Sequence, residues 1–285
     1  MKLITISPAL CYALSAMVCY GLADLVYKRA ATAGIKPHHF LMVQAWIFAP
    51  VVTAFALATG TLHIVPAAAW GATAGLCIFI GLYNFTRSLR DGAVSVNAPI
   101  FRLSFTITAA LAIWILDEPL GAFKIAGLAL ALVAAWLLLG GGAHGGVTRA
   151  SLRRVLFATL GLGFANFCYK LGVMQGATPA TMVVSQAAVF FPLATGFGYF
   201  AERKFNPPSS TWRYAATAAL LLAVAFMLMA TSLVRGDASV LVPVAQMGFV
   251  ITATAGMLWM GERANARKLA GLAAAVGALV SFALS

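Results

Sequence analysis
Charge is what this sequence lacks. Only 9% of its 285 residues are charged, where a soluble domain carries about 25%. With 62% hydrophobic residues and a mean hydropathy of +0.94, little of the chain is suited to water. The composition is that of a membrane protein with short connections outside the bilayer. The four cysteines (Cys11, Cys19, Cys77, Cys168) fall in apolar runs without CxxC spacing, which argues for buried free thiols rather than a disulfide framework or a thiolate metal site. The Gly-rich GGGAHGG at 140–146 lacks the Lys-Ser/Thr ending and the flanking strand of a phosphate loop. His38 and His39 are adjacent, so on a regular element they are expected to point apart, which disfavours a two-histidine metal site. No constellation for nucleophilic or metal catalysis emerges, so neither an enzyme nor a cofactor is expected. The net charge of +12 comes from basic residues scattered over short loops, without a basic stripe interleaved with aromatics. Anionic lipid headgroups, not nucleic acid, are the partner this implies.

Apolar runs are what the sequence has in abundance. A membrane-crossing helix needs about 20 mostly apolar residues. Cutting at charges and at Gly/Pro clusters predicts ten spans, near 8–29, 40–60, 68–89, 95–116, 122–141, 154–174, 180–200, 212–234, 239–260 and 267–284. The first resembles a signal peptide, but its apolar run outlasts the roughly 7 to 15 residues of such a segment and is read as a retained span. The expected class is all-α, integral and multi-pass, in an inner (plasma) membrane.

The chain repeats itself. Residues 88–127 align without a gap to 232–271, with 15 of 40 positions identical, including Pro99/Pro243, Glu118/Glu262 and Lys124/Lys268. Residues 21–50 align to 163–192 with 10 of 30 identical, including Tyr27/Tyr169, Lys28/Lys170, Gln44/Gln186 and Pro50/Pro192. Shared apolar composition does not produce matched Pro, Gln, Lys and Glu. The expected organisation is one five-helix repeat over 1–141, a linker over 142–153 and a second repeat over 154–285. An odd number of spans forces the second copy to enter from the opposite side, giving ten helices as two inverted five-helix repeats, the plan of secondary transporters.

The stretches ILDEPLGAFKIAGLAL (115–130) and LWMGERANARKLAGLAA (258–274), with the five-span duplication and a lysine late in the first span of each half, resemble the EamA-like family of the drug/metabolite transporter superfamily. The resemblance covers the whole chain. It implies ten helices, alternating access and, for many members, export of amino acids or other small metabolites. Asp24 and Arg102 depart from the family's usual pattern.

Polar residues inside the spans mark the expected path. An uncompensated charge at mid-span costs roughly 2.5 to 3.5 kcal/mol. Asp24 and Lys28 are four apart and share a helix face with Tyr27, so they form either a neutral pair or a polar stripe along a cavity. In the second copy Asn166, Tyr169 and Lys170 hold the matching face, with Asn in place of Asp. By the span limits, Asp24 is the one acidic residue away from loops and span ends, which makes it the candidate cation or proton site. A lasting partner for it, Lys28 or Arg102, would point instead to exchange or facilitated diffusion. Arg102, whose repeat mate is Gln246, lies about two turns into the fourth span, where a guanidinium suits a carboxylate or phosphate. Its alternatives are a salt bridge to Asp24 and snorkelling. Gln44 and Gln186 hold equivalent positions in the second span of each half, suited to an interhelical hydrogen bond or to substrate. Tyr83 and Asn84, with Trp46 and Asn97, complete the candidate lining. Pro99 and Pro243 are expected to open their helices at equivalent places.

Cavity cations (Lys28, Lys170, Arg102) outnumber the single Asp24. That favours a zwitterionic or carboxylate-bearing, amino-acid-like substrate, carried through a cavity lined by spans 1, 3, 4, 6, 8 and 9. The alternatives are a proton-coupled exporter of lipophilic cations through Asp24, and a non-transporting membrane partner or flippase component. Expected partners are the bilayer, a small-molecule substrate and protons as candidate coupling ion, with the chain as monomer or homodimer. Of the 19 Lys and Arg, Arg102 lies within a span, Lys2, Lys124, Lys170 and Arg235 fall on the N-terminal side, and the other fourteen fall opposite. The positive-inside rule then puts both termini outside the cytoplasm, whereas the resemblance more commonly implies cytoplasmic termini.

Overall fold
A computed structural model describes residues 7–91, 97, 100–139, 148–259 and 265–285. The Gly-rich linker, Pro99 and Glu262 lie outside the described residues. Among these, 84% are helical and none forms a strand. The helices are α1 (Pro8–Thr32), α2 (Pro37–Ala58), α3 (Ala68–Asp91), α4 (Ser104–Ile115), α5 (Ala122–Leu139), α6 (Arg149–Met174), α7 (Pro179–Glu202), α8 (Ser209–Leu233), α9 (Ala238–Gln246), α10 (Gly248–Trp259) and α11 (Ala266–Ala283). Eight segments are long and apolar enough to cross a membrane, α9 counting together with the start of α10. The fourth and fifth expected spans correspond to shorter apolar helices, Ile100–Ile115 and Ala122–Leu138.

Local chemistry sets the helix starts. Ser7, Thr148, Thr178 and Asn265 each accept a hydrogen bond from the backbone N–H three residues on, satisfying a donor that the first turn leaves free. Pro37 and Pro179, matched in the two halves, occupy the first turn of α2 and α7, where a missing N–H costs nothing. Pro243 does not open its helix as expected. It sits inside α9, which starts at Ala238.

Two expected spans are broken at matched points. Leu103 N bonds Ile100 O at 3.1 Å and Thr106 N bonds Leu103 O at 2.9 Å. In the second half Met247 N bonds Val244 O at 3.1 Å and Val250 N bonds Met247 O at 2.9 Å. These tight three-residue bonds interrupt the four-residue ladder before α4 and between α9 and α10. Backbone that departs from the helix at membrane depth is tolerated where it is buried in protein or lines a cavity.

Packing runs between the halves. α1 lies against α8, α9 and α10, α6 against α3 and α4, α2 against α7 and α8, and α5 against α11. With lipid outside, no hydrophobic gain separates helix from helix, so small residues decide how closely they approach. Ala13, Ala16, Ala74, Ala134, Ala218 and Ala278 are fully buried. At Gly21 an added Cβ would fall 2.6 Å from Gly248 O and 2.5 Å from Ile251 Cβ, and at the matched Gly163 it would fall 2.7 Å from Ser104 O and 2.6 Å from Ile107 Cβ. Hydroxyls cross the same two seams: Thr252 Oγ1 donates to Gly21 O at 3.2 Å, and Thr108 Oγ1 to Gly163 O at 2.8 Å.

Candidate functional site
A cavity of about 580 Å³ runs from Tyr20, midway along α1, to Thr32 at its end, Ile35 in the α1–α2 connection and Pro37 at the start of α2. It opens at that end. Such a volume is within the roughly 300–1,000 Å³ of small-molecule sites.

The Asp24–Arg102 ion pair stands inside it. α1 presents Asp24, Tyr27 and Lys28 to the cavity, as the spacing of four predicts. The Arg102 guanidinium, on the short helical stretch before α4, donates to Asp24 Oδ2. The side chains remain 27% and 18% exposed, so the pair faces the cavity rather than closed protein. Tyr27 donates to Gln44 Oε1, and its ring packs on Phe40 at 4.5 Å. The matched Tyr169 donates to Gln186 Oε1. Asn166, Gln186 and Gln246 line the deep part, and Asn166 Nδ2 is buried without a hydrogen-bond partner among the described residues. Aromatic rings make the walls: Tyr20 meets Phe226 edge-on at 5.7 Å, Phe48 meets it at 6.0 Å, and Phe85, Phe101, Phe190 and Phe249 join the lining.

Eight expected residues therefore share one cavity: Asp24, Tyr27, Lys28, Gln44, Arg102, Asn166, Gln186 and Gln246. Tyr83 and Asn84 are not among its lining residues. Tyr83 stacks on Phe79 and accepts from Arg87, and Asn84 Nδ2 returns to Ile80 O at 2.9 Å on its own helix. Tyr169 stands behind the wall, holding Gln186. Lys170 donates to Leu233 O at 3.3 Å and Gly236 O at 2.7 Å, closing the carbonyl end of α8 rather than meeting the cavity. Trp46 lies in a separate groove between α2 and α7, bonded to Thr195 Oγ1 at 2.9 Å. Asn97 is buried on Ser88 O and Ser151 Oγ. The lining also includes α2 and α7, spans absent from the expected set, because Phe40, Leu41, Gln44, Phe48, Gln186 and Phe190 face inward. His38 and His39 do not point apart either: both rings reach Glu202.

A carboxylate from the first half caps a helix of the second. Asp237 precedes α9 as its cap position but makes no side-chain capping bond. Glu118, from the α4–α5 connection, supplies it instead, accepting from Ala238 N at 2.8 Å, Ser239 N at 2.9 Å and Ser239 Oγ. Lys124 Nζ holds Asp237 at 3.0 Å beside it. A carboxylate at a helix N-terminus satisfies free N–H groups and complements the dipole. The matched Glu118/Glu262 was the signal available in the sequence. Glu118→Ala is expected to leave three buried donors without their acceptor and destabilise by about 1–3 kcal/mol, read as a lower melting temperature of the detergent-purified protein.

A crystal structure of another protein is similar to this chain with a TM-score of 0.81 at 16% identity, over 97% of this chain and 98% of that one, a likeness of fold. No curated protein matches the sequence. The EamA-like transporter family matches twice, over residues 7–140 and 154–284, together nearly the whole length. A multi-pass helical protein with an aromatic-walled cavity that holds an ion pair between its halves and this double match belongs to the EamA-like transporter family, within the drug/metabolite transporter superfamily.

Proposed function
We propose that this chain is a secondary transporter of a small zwitterionic, amino-acid-like metabolite, working by alternating access between two inverted five-helix repeats that total ten spans. The observation that carries the reading is the Asp24–Arg102 pair facing the cavity. A zwitterion can enter such a pair by exchanging partners, its carboxylate taking Arg102 and its ammonium taking Asp24. Neither protein charge is then left desolvated and alone, which is the costly outcome in a low-dielectric site. The aromatic walls suit an apolar side chain on that substrate. The two family matches and the paired seams at Gly21 and Gly163 support the inverted repeats.

Because Asp24 already has Arg102, exchange or facilitated diffusion is favoured over proton coupling through Asp24. By the positive-inside rule the open end, beside the α1–α2 connection, faces the cytoplasm, as an exporter awaiting substrate would. The aromatic lining also favours a second reading, a lipophilic-cation exporter in which a cation displaces Arg102 from Asp24. A thermal-shift screen against amino acids, organic acids, sugars and quaternary cations separates the two. A ligand at 100 times its dissociation constant stabilises by about 2.7 kcal/mol. A shift with amino acids that is lost in Arg102→Ala supports the first reading. A shift with quaternary cations alone, lost in Asp24→Asn, overturns it.

A further inference from the structure
Outside the cavity wall, at the end of the molecule where the cavity opens, three metal-ligating side chains converge. His38 and His39 stand in the first turn of α2, and Glu202 is the last residue of α7. His38 Nε2 lies 3.2 Å from Glu202 Oε1, and His39 Nε2 lies 3.2 Å from Oε2. All three ligand groups fall within 4.8 Å of one another. Metal–ligand bonds of roughly 2.0–2.2 Å in a tetrahedron put neighbouring ligand atoms about 3.3 Å apart. The two histidine–carboxylate separations are close to that spacing.

The surroundings point the same way. His39 is 4% exposed, yet neither ring nitrogen makes a hydrogen bond among the described residues, although its Nε2 lies 3.2 Å from a Glu202 carboxylate oxygen. A buried imidazole without a partner is unfavourable unless something is bound there. His38 is held edge-on by Phe197 at 6.1 Å and meets the His39 ring at 4.6 Å, so both rings are fixed by packing. The remaining neighbour of the carboxylate is the Lys36 ammonium, on a side chain 62% exposed that can swing into water.

We propose that His38, His39 and Glu202 form a binding site for one divalent transition-metal ion of the zinc class, clamping the start of α2 to the end of α7. Two imidazoles and one carboxylate are the borderline nitrogen and oxygen donors such ions take, and Lys36 marks the position left open to water or a further ligand. Both helices also line the cavity, so a bound ion opposes any motion that parts them near its mouth. The site stands independently of what the cavity carries.

The test is titration of the tag-free, detergent-purified chain with Co²⁺, followed by its visible d–d absorption, and then displacement by Zn²⁺. The expected result is one equivalent per chain in a low-coordinate spectrum, lost in His39→Ala and in Glu202→Gln and retained in His63→Ala. Lys36→Met, a change at an exposed side chain, is expected to tighten binding several-fold by removing the competing ammonium. Absence of stoichiometric absorption in the unaltered chain, its persistence in His39→Ala, or an affinity unchanged in Lys36→Met overturns the site.

Discussion

Arg102→Ala is expected to abolish ligand binding and to lower the stability of the empty protein, and the two losses should separate in a double variant. Removing one partner of a buried ion pair costs about 3–5 kcal/mol, chiefly because the other charge is stranded. Here the side chains are 18% and 27% exposed, so water reaches Asp24 and the cost should fall below that range. Replacing both charges, in Asp24→Asn with Arg102→Gln, leaves a neutral amide pair and should return the melting temperature close to that of the unaltered chain. Binding should stay absent, because the ammonium end of a zwitterion then loses its Asp24 carboxylate and Lys28 can serve the carboxylate end alone. A purely structural salt bridge predicts the reverse pattern, with binding returning alongside stability.

Gly163→Leu and Gly21→Leu are expected to prevent the helices from assembling. Overfilling a packed site by a methylene or two costs about 1–3 kcal/mol. At these seams even a Cβ would stand 2.5 to 2.7 Å from its nearest neighbours, one of them in each case a backbone oxygen that cannot turn away. The threonine bonds across both seams would part as well. Gly196→Ala is the control, since the nearest atom to its added Cβ is 3.9 Å away on Phe200. Size-exclusion profile and melting temperature read the outcome. Similar damage from the two leucine variants is what an inverted repeat requires; tolerance at one seam would break the symmetry.

Much of the helical plan was legible because it rests on local chemistry and apolar length. The second and seventh helices begin at Pro37 and Pro179, close to the expected starts at 40 and 180, and the spacing of Asp24, Tyr27 and Lys28 did put them on one face. The breaks at Leu103 and Met247 were hidden, because hydropathy is blind to a change of hydrogen-bond register. Residues paired across long separations were legible only as alternatives. Arg102 could meet Asp24, substrate or headgroups until its position against α1 was known. Glu118 read as an ordinary loop acid, since its task is set by the N-terminus of α9, 120 residues away. The histidines were misjudged for a similar reason: neighbours in the first turn of a helix diverge at their Cα atoms, but Glu202 from α7 gives both rings one point of convergence. The aromatic walls had no signal, because a phenylalanine facing a cavity and one facing lipid are the same letter.

The central claim is that a zwitterion passes by way of the Asp24–Arg102 pair. Counterflow in proteoliposomes tests it most directly: vesicles loaded with an unlabelled amino-acid mixture are diluted into trace amounts of the same acids carrying a label. The account predicts transient accumulation of one or a few of them with the unaltered chain, and none with Arg102→Ala. Accumulation undiminished in Arg102→Ala, or accumulation of quaternary cations alone, would contradict it.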